Sequence, residues 1–320
     1  MAQFDLPVDQ LETYRPEREE PADFDAFWRD TLAESREHGS ARFDAVDSAM
    51  RSLIVEDVTF PGFAGHPIRG WMLRPRHEPV RGCVVQFIGY GGGRGHAEQW
   101  SLLPSAGYAV FVMDTRGQGN GVSVGSTPDP VGSAPQVPGK MTAGIEHPSS
   151  YYYRRVFTDA ARAVDAARTH AAVDPERVVV AGGSQGGGIA LAAAGLSDGL
   201  AGATIDVPFL SHFRRALRIT DASPYNELAR YLQSQRGDEE SVFRTLSYFD
   251  GVNFAARATA PALFSVALYD AVCPPSTVYA AYNAYAGDEK QMAVYPYNGH
   301  EGGQWHHTQR HLAFLDEIFG

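Results

Sequence analysis

Val178-Val179-Val180-Ala181-Gly182-Gly183-Ser184-Gln185-Gly186-Gly187-Gly188-Ile189-Ala190-Leu191 decides how this chain of 320 residues is read. A short, wholly apolar run ends in Gly-x-Ser-x-Gly, and small-residue sequence with helical character follows directly as far as Leu196. Runs of this kind suit a strand covered on both faces. A strand that turns at once into a helix forces the central serine into a strained backbone conformation, and its neighbours must be nearly free of side chains or their Cβ atoms collide. The same turn lifts the hydroxyl above the sheet and aims the positive end of a helix at a reacting carbonyl. In a chain with 33 glycines a bare Gly-x-Ser-x-Gly arises easily by chance. Its place between this strand and this helix makes Ser184 a candidate nucleophile rather than a glycine turn.

Further apolar runs lie on either side: Cys83 to Ile88, Tyr108 to Met113, Ala203 to Ile205, Leu263 to Val266 and Met292 to Val294. Helical sequence separates them. Val156, Ala160, Val164 and Ala167 share one face and end before Asp174-Pro175, and Leu312, Leu315 and Phe319 line a C-terminal helix. Strands alternating with helices mean an α/β fold with a mostly parallel central sheet flanked by helices. Before this region, Leu53 to Phe60 and Ile68 to Arg74 alternate and read as an antiparallel hairpin through Pro61, Gly62 and Gly65. Residues 1–50 read as an N-terminal helical arm, with Phe24, Phe27, Trp28 and Leu32 as one apolar stripe packed on the main body. Residues 209–258 are charged and helix-like and read as a small cap-like insertion within a single domain spanning 1–320.

Composition removes several classes. With 44% hydrophobic and 20% charged residues the chain is an ordinary globular one. No run of about 18 apolar residues offers a membrane span. The formal charge of 27 − 38 = −11, with no basic block, argues against a nucleic-acid partner. Two cysteines, Cys83 and Cys273, cannot build a disulfide framework, and the N-terminus lacks an apolar secretory core, so a cytoplasmic address is expected.

A serine attacks well only when a histidine takes its proton and an acid holds that histidine in one tautomer. After a nucleophile elbow the chain order is serine, acid, histidine. His300 follows the last apolar run through a loop and precedes the final helix, which makes it the expected base among His212, His300, His306, His307 and His311. Asp270, just past the run Leu263 to Leu268, is the expected acid, and Asp206, at an earlier strand end, is its rival. The separations 270 − 184 = 86 and 300 − 270 = 30 leave room for the insertion and then one helix-strand unit. An oxyanion hole needs two backbone N–H donors. Gln185, next to the serine, supplies one, and Tyr90 in Gly89-Tyr90-Gly91-Gly92-Gly93 is expected to supply the other. That glycine run could also be a plain loop. A phosphate cradle fits it poorly, because no Gly-Lys-Ser/Thr follows. His307 and His311 stand i, i+4 with His306 beside them, a spacing that can put two imidazoles on one helix face. No acid completes a zinc motif in that stretch, so a solvated helix face is expected there, with no metal and no cofactor.

Asp114-Thr115-Arg116-Gly117-Gln118-Gly119, Gly182-Gly183-Ser184-Gln185-Gly186-Gly187 and His300-Glu301-Gly302-Gly303 resemble the three signatures of carbohydrate esterase family 7, the acetyl xylan esterases and cephalosporin-C deacetylases. Tyr151 to Arg155, Asp206 to Leu210, Ser247 to Phe254, Cys273 to Thr277 and Asp23 to Trp28 resemble the family as well, so the likeness spans nearly the whole chain. The resemblance implies an α/β-hydrolase fold and a Ser184, Asp270, His300 triad with Tyr90 and Gln185 as oxyanion donors. It implies supporting roles for Arg116, Gln118 and Glu301. On this reading Gly91, Trp100, Leu103, Phe209 and Pro224 are expected to line the substrate pocket. The implied substrates are acetylated xylo-oligosaccharides and cephalosporin C, hydrolysed without a metal by a homo-oligomer, commonly a hexamer. A broad short-chain carboxylesterase and a non-catalytic small-molecule receptor are the alternatives. The chain departs from the family at Ile88, where His is usual before Gly-Tyr. It departs again at Leu103, where a second Trp is common, and at Ala143, where Arg is usual.

Overall fold

One sheet organises the molecule, its strands being β1 (Arg42–Val46), β2 (Leu53–Pro61), β3 (Pro67–Pro75), β4 (Cys83–Phe87), β5 (Ala109–Met113), β6 (Val178–Gly183), β7 (Gly202–Asp206), β8 (Ala262–Ala267) and β9 (Lys290–Tyr295). This computed structural model describes residues 3–121, 123–132, 136 and 139–320. The strand order is β1-β2-β3-β5-β4-β6-β7-β8-β9. The six strands from β5 to β9 run parallel, and β1, β2 and β3 extend them antiparallel at one edge. All the apolar runs become strands of the parallel part; β4 to β8 are buried on both faces because helices cover them, while the edge strand β9 is largely half-buried or exposed. β5, for instance, is Ala-Val-Phe-Val-Met with every residue buried.

The helices are α1 (Val8–Leu11), α2 (Phe24–Arg36), α3 (Leu102–Ser105), α4 (Tyr152–Arg168), α5 (Gln185–Leu196), α6 (Phe213–Ile219), α7 (Tyr225–Ser234), α8 (Glu239–Ser247), α9 (Gly251–Ala255), α10 (Pro275–Ala284) and α11 (Gln304–Phe319). Four of them, α6 to α9, occupy the insertion between β7 and β8. The Phe24, Trp28, Leu32 stripe of α2 is buried, and Trp28 meets Phe157 of α4 together with Phe249 and Phe254. Its indole N–H donates to the carbonyl of Tyr248 at 3.0 Å. Edge-to-face aromatic pairs of this kind add about 0.5–1.5 kcal/mol each beyond the area they bury. The arm is therefore part of the core. It is not helical throughout: Arg42–Val46 pairs with β2 as the edge strand β1, most of whose residues are exposed.

The chain passes from β4 outward to β5 and then returns to β6 on the other side of β4. That reversal opens a crevice at the carboxyl ends of β4 and β6, where ligands of open α/β sheets bind. The loop with Tyr90 and the turn with Ser184 leave from those two strand ends.

The insertion carries a pH-sensitive contact. Asp250 caps α9 by accepting from Val252 N at 3.0 Å, and it also accepts from His212 N and Phe213 N at 2.8 and 3.2 Å at the start of α6. Burial, reinforced by the charge of Arg215, lowers the His212 pKa to about 4. Burial raises that of Asp250 to about 6. An unfolded histidine protonates near pH 6.5. Between 6.5 and 4 the unfolded chain therefore holds more protons at His212, and this contribution to stability is lost as pH falls. Asp250 has the opposite sign: its contribution is full below about 3.8 and is lost as pH rises through 6. His212 has left-handed backbone angles, φ 50 and ψ 58, which asparagine tolerates. His212→Asn is expected to remove about 1–2 kcal/mol of the stability lost between pH 7 and 4.5, allowing for partial exposure of the ring. Urea unfolding at both pH values measures it, and an unchanged pH dependence in the variant would rule the His212 imidazole out as its source.

Candidate active site

Ser184 sits between β6 and α5 at φ 57 and ψ −123, a positive φ that side chains other than glycine seldom adopt. The glycines two residues away on each side are required by contact. A Cβ on Gly182 would lie 2.2 Å from the carbonyl of Gly186, and one on Gly186 would lie 2.5 Å from the carbonyl of Phe87. The Ser184 N–H donates to the carbonyl of Asp206 at 2.9 Å, tying the turn to the end of β7.

Asp270 follows β8 and is fully buried. Its Oδ1 accepts from Val272 N at 2.8 Å and Cys273 N at 2.9 Å, so the carboxylate is fixed by backbone. Its Oδ2 lies 2.9 Å from His300 Nδ1, and His300 Nε2 lies 2.9 Å from Ser184 Oγ. The structure thus brings together three side chains from the ends of β6, β8 and β9, and the imidazole bridges the other two. The His300 loop is braced by Glu301, whose Oε1 accepts from Asn298 Nδ2 at 3.0 Å and Gly299 N at 3.2 Å. Glu301 is itself exposed; these hydrogen bonds, that from Asn298 foremost, lower its carboxyl pKa.

The two candidate oxyanion donors flank the serine. Among the described residues no acceptor takes the N–H of Tyr90 or of Gln185. Gln118 joins the two segments: its Oε1 accepts from Gly91 N at 2.7 Å, and its Nε2 donates to Gln185 Oε1 at 2.8 Å and Tyr152 Oη at 3.0 Å. Gln185 Nε2 donates to the carbonyl of Ile88 at 3.1 Å, and the Ile88 side chain packs with Val110 and Val112. The Tyr90 hydroxyl donates to Glu227 of α7 at 2.9 Å and accepts from Lys140 N at 2.5 Å, so the insertion holds this loop too. Burial, with the nearby Glu227 carboxyl, raises the pKa of that phenol. Arg116 lies further off, fully buried, with Nε and Nη2 2.5 and 2.7 Å from the two oxygens of Asp159 on α4.

The expected pocket residues come from the Tyr90 loop, the face of the sheet and the insertion. Ser184 opens on a cleft of about 240 Å³ whose walls include Asp206, Val207, Ser265, His300 and the first turns of α11. Trp100 and Leu103 pack with Ile88, Val110 and Val112 on the sheet, and the Trp100 indole donates to the carbonyl of Arg94 at 2.7 Å. Phe209 is fully buried against Tyr225, their ring centroids 4.3 Å apart, and Pro224 is buried at the start of α7. Gly91 belongs to the Tyr90 loop, with φ 77 and space on its Cβ side. None of the five lines that cleft, and neither do Tyr90 and Gln185, so it lies away from the candidate oxyanion side of the serine.

Asp206, the rival acid, does not meet His300. Its Oδ1 accepts from Ser265 Oγ at 3.1 Å and lies 2.6 Å from His307 Nε2, while its Oδ2 lies 2.9 Å from His311 Nε2. The expectation of a solvated helix face is therefore overturned: His307 is buried, and an acid 101 residues away along the chain joins the pair. Burial works against ionisation of Asp206, but the two imidazoles, His311 first, outweigh it and hold the carboxyl far below its usual range. Local sequence carries no sign of this, because the three residues meet only when β7 lies beside α11.

A parallel sheet with the serine turn at a strand reversal, and a Ser-His-Asp constellation above it, defines an α/β-hydrolase. A family model described as acetyl xylan esterase (AXE1) matches residues 1–318. The acetyl xylan esterase from Paenibacillus sp. R4 superposes with a TM-score of 0.91 and 40% identity, covering 98% of this chain and 99% of that one. Acetyl xylan esterase 1 from Thermoanaerobacterium sp. JW/SL YS485 gives the same TM-score at 30% identity, covering 99% and 100%. A curated relative, acetyl esterase Axe7A from Xylanibacter ruminicola, is 27% identical over 297 residues; the match covers 90% of this chain and 65% of the relative. The chain belongs to the acetyl xylan esterase family, carbohydrate esterase family 7, a family of carboxylic ester hydrolases.

Proposed function

We propose that this chain is a serine esterase that removes acetyl groups from acetylated xylo-oligosaccharides. The observation that carries this reading is the position of the His300 ring, 2.9 Å from both Ser184 Oγ and Asp270 Oδ2. His300 takes the serine proton as Oγ attacks the acetyl carbonyl, and Asp270 stabilises the imidazolium. The N–H groups of Tyr90 and Gln185 hold the negative oxygen of the tetrahedral intermediate. Collapse breaks the bond to the sugar oxygen, which leaves with the proton from His300. Water, deprotonated by the same ring, then releases acetate and restores Ser184. The membrane plays no part in this scheme, and no helix among the described residues is long and apolar enough to cross one.

The same reading extends to cephalosporin C as an alternative acetyl ester and to a cytoplasmic homohexamer acting on small diffusible substrates. Family membership supports these finer points. Acetate release from acetylated xylo-oligosaccharides and from cephalosporin C, run beside light scattering on the eluting protein, tests them together.

Acyl-chain selectivity separates this reading from a broad carboxylesterase. Each methylene that a small acyl pocket excludes is worth about 1–3 kcal/mol. p-Nitrophenyl butyrate is therefore expected to be at least about tenfold poorer than the acetate in kcat/KM. Equal rates for the two esters would favour the broad enzyme, and no turnover of either at an intact Ser184 would favour a receptor.

A further inference from the structure

We propose that Asp206, His307 and His311 form a binding site for a zinc-type divalent cation beside the candidate nucleophile. The three offer one carboxylate oxygen and two imidazole nitrogens, and these ligand atoms all lie within 4.8 Å of one another. A tetrahedral ion with bonds of about 2.0–2.1 Å sets its ligand atoms about 3.3 Å apart, so the cluster needs only small side-chain adjustments to receive one. The two histidines stand one turn apart on α11, their ring centroids 4.5 Å apart. The fold fixes the group from outside as well. His307 Nδ1 lies 2.8 Å from the Tyr295 hydroxyl, which leaves Nε2 directed at Asp206. A ring nitrogen held by a second polar partner is the arrangement that orients metal-binding imidazoles. Tyr295 in turn sits where only a glycine fits opposite it: a Cβ on Gly303 would lie 2.1 Å from its ring.

A second observation points to a missing ligand. His311 Nε2 is buried with no aligned hydrogen-bond partner, although Asp206 Oδ2 is 2.9 Å away. A buried imidazole nitrogen that faces a carboxylate oxygen off the hydrogen-bond direction shares no proton line with it, and a cation placed between the two atoms would satisfy both. The chemistry of the donor set selects the ion. Two imidazoles and one carboxylate suit zinc, cobalt or nickel, whereas magnesium and calcium prefer oxygen ligands throughout. Three protein ligands leave a fourth position, and the cluster lines the same cleft as Ser184 and His300. The remaining coordination therefore falls to water or to an oxygen of whatever enters that cleft.

The test is calorimetric titration of the full chain, first stripped with chelator, with zinc chloride, and a parallel titration with cobalt(II) followed in the visible. The expected result is one zinc per chain with low-micromolar affinity or tighter, a tetrahedral cobalt spectrum, and no competition from excess magnesium or calcium. His311→Ala and Tyr295→Phe, checked for folding by circular dichroism, are expected to weaken binding by at least about tenfold each. His306→Ala, on the exposed face of the same helix, is expected to leave it unchanged. Absence of binding to the parent protein, or binding that His311→Ala leaves intact, overturns the proposal and reduces the cluster to an ion-paired hub.

Discussion

Replacing Ser184 by alanine lowers turnover of an acetyl ester by about 10⁵–10⁶-fold, with a residual rate left to the oxyanion donors and binding alone. The expectation rests on what the variant keeps. Alanine retains the Cβ, so the backbone at φ 57 is unchanged, as are the contacts of Gly182 and Gly186 that force the turn. The Ser184 N–H still donates to the carbonyl of Asp206, and the His300 ring still rests on Asp270. Only the hydroxyl 2.9 Å from Nε2 is gone, and one such hydrogen bond is worth about 1 kcal/mol of stability. A large fall in rate with a nearly constant unfolding midpoint is therefore the signature. Parent-like hydrolysis by the purified variant would falsify the assignment of Ser184 as nucleophile.

The parts of the molecule that could be read from sequence share a physical cause. A strand buried on both faces must be apolar throughout, so β4 to β8 announce themselves as short hydrophobic runs whatever their neighbours are, and the edge strand β9 shows only the shorter run Met292 to Val294. The serine turn is legible because its geometry excludes side chains at Gly182 and Gly186. β1 is silent for the opposite reason: an exposed edge strand needs only backbone partners, and in Arg42–Val46 only Phe43 is even partly buried. The substrate-pocket expectation at Trp100, Leu103 and Phe209 is harder to read, because a large apolar residue near a site looks the same in sequence whether it faces a ligand or the core. The Asp206, His307, His311 cluster lay beyond reach because its acid comes from another element altogether.

Those same contacts separate two aspartates that strand order alone leaves as rivals, and they predict opposite fates for their amide variants. Asp270→Asn is expected to lower kcat by about 10⁴-fold. The amide oxygen can replace Oδ1 as acceptor for Val272 N and Cys273 N, which leaves the amide nitrogen facing His300 Nδ1. Two donors cannot share that gap, so His300 shifts to the tautomer with its proton on Nε2. A ring protonated there can donate to Ser184 but cannot take its proton. Asp206→Asn touches no atom of that relay. Its side-chain partners are Ser265, His307 and His311, and the link to Ser184 runs through its backbone carbonyl, which the substitution preserves. A fall of less than about tenfold is expected there, with the main cost in stability, about 1–3 kcal/mol for polar groups left unpaired. Steady-state rates of both variants in the presence of chelator, which keeps any bound metal out of the comparison, decide between them. Equal losses, or the larger loss at Asp206, would mean that the orienting acid is not the residue 2.9 Å from the ring.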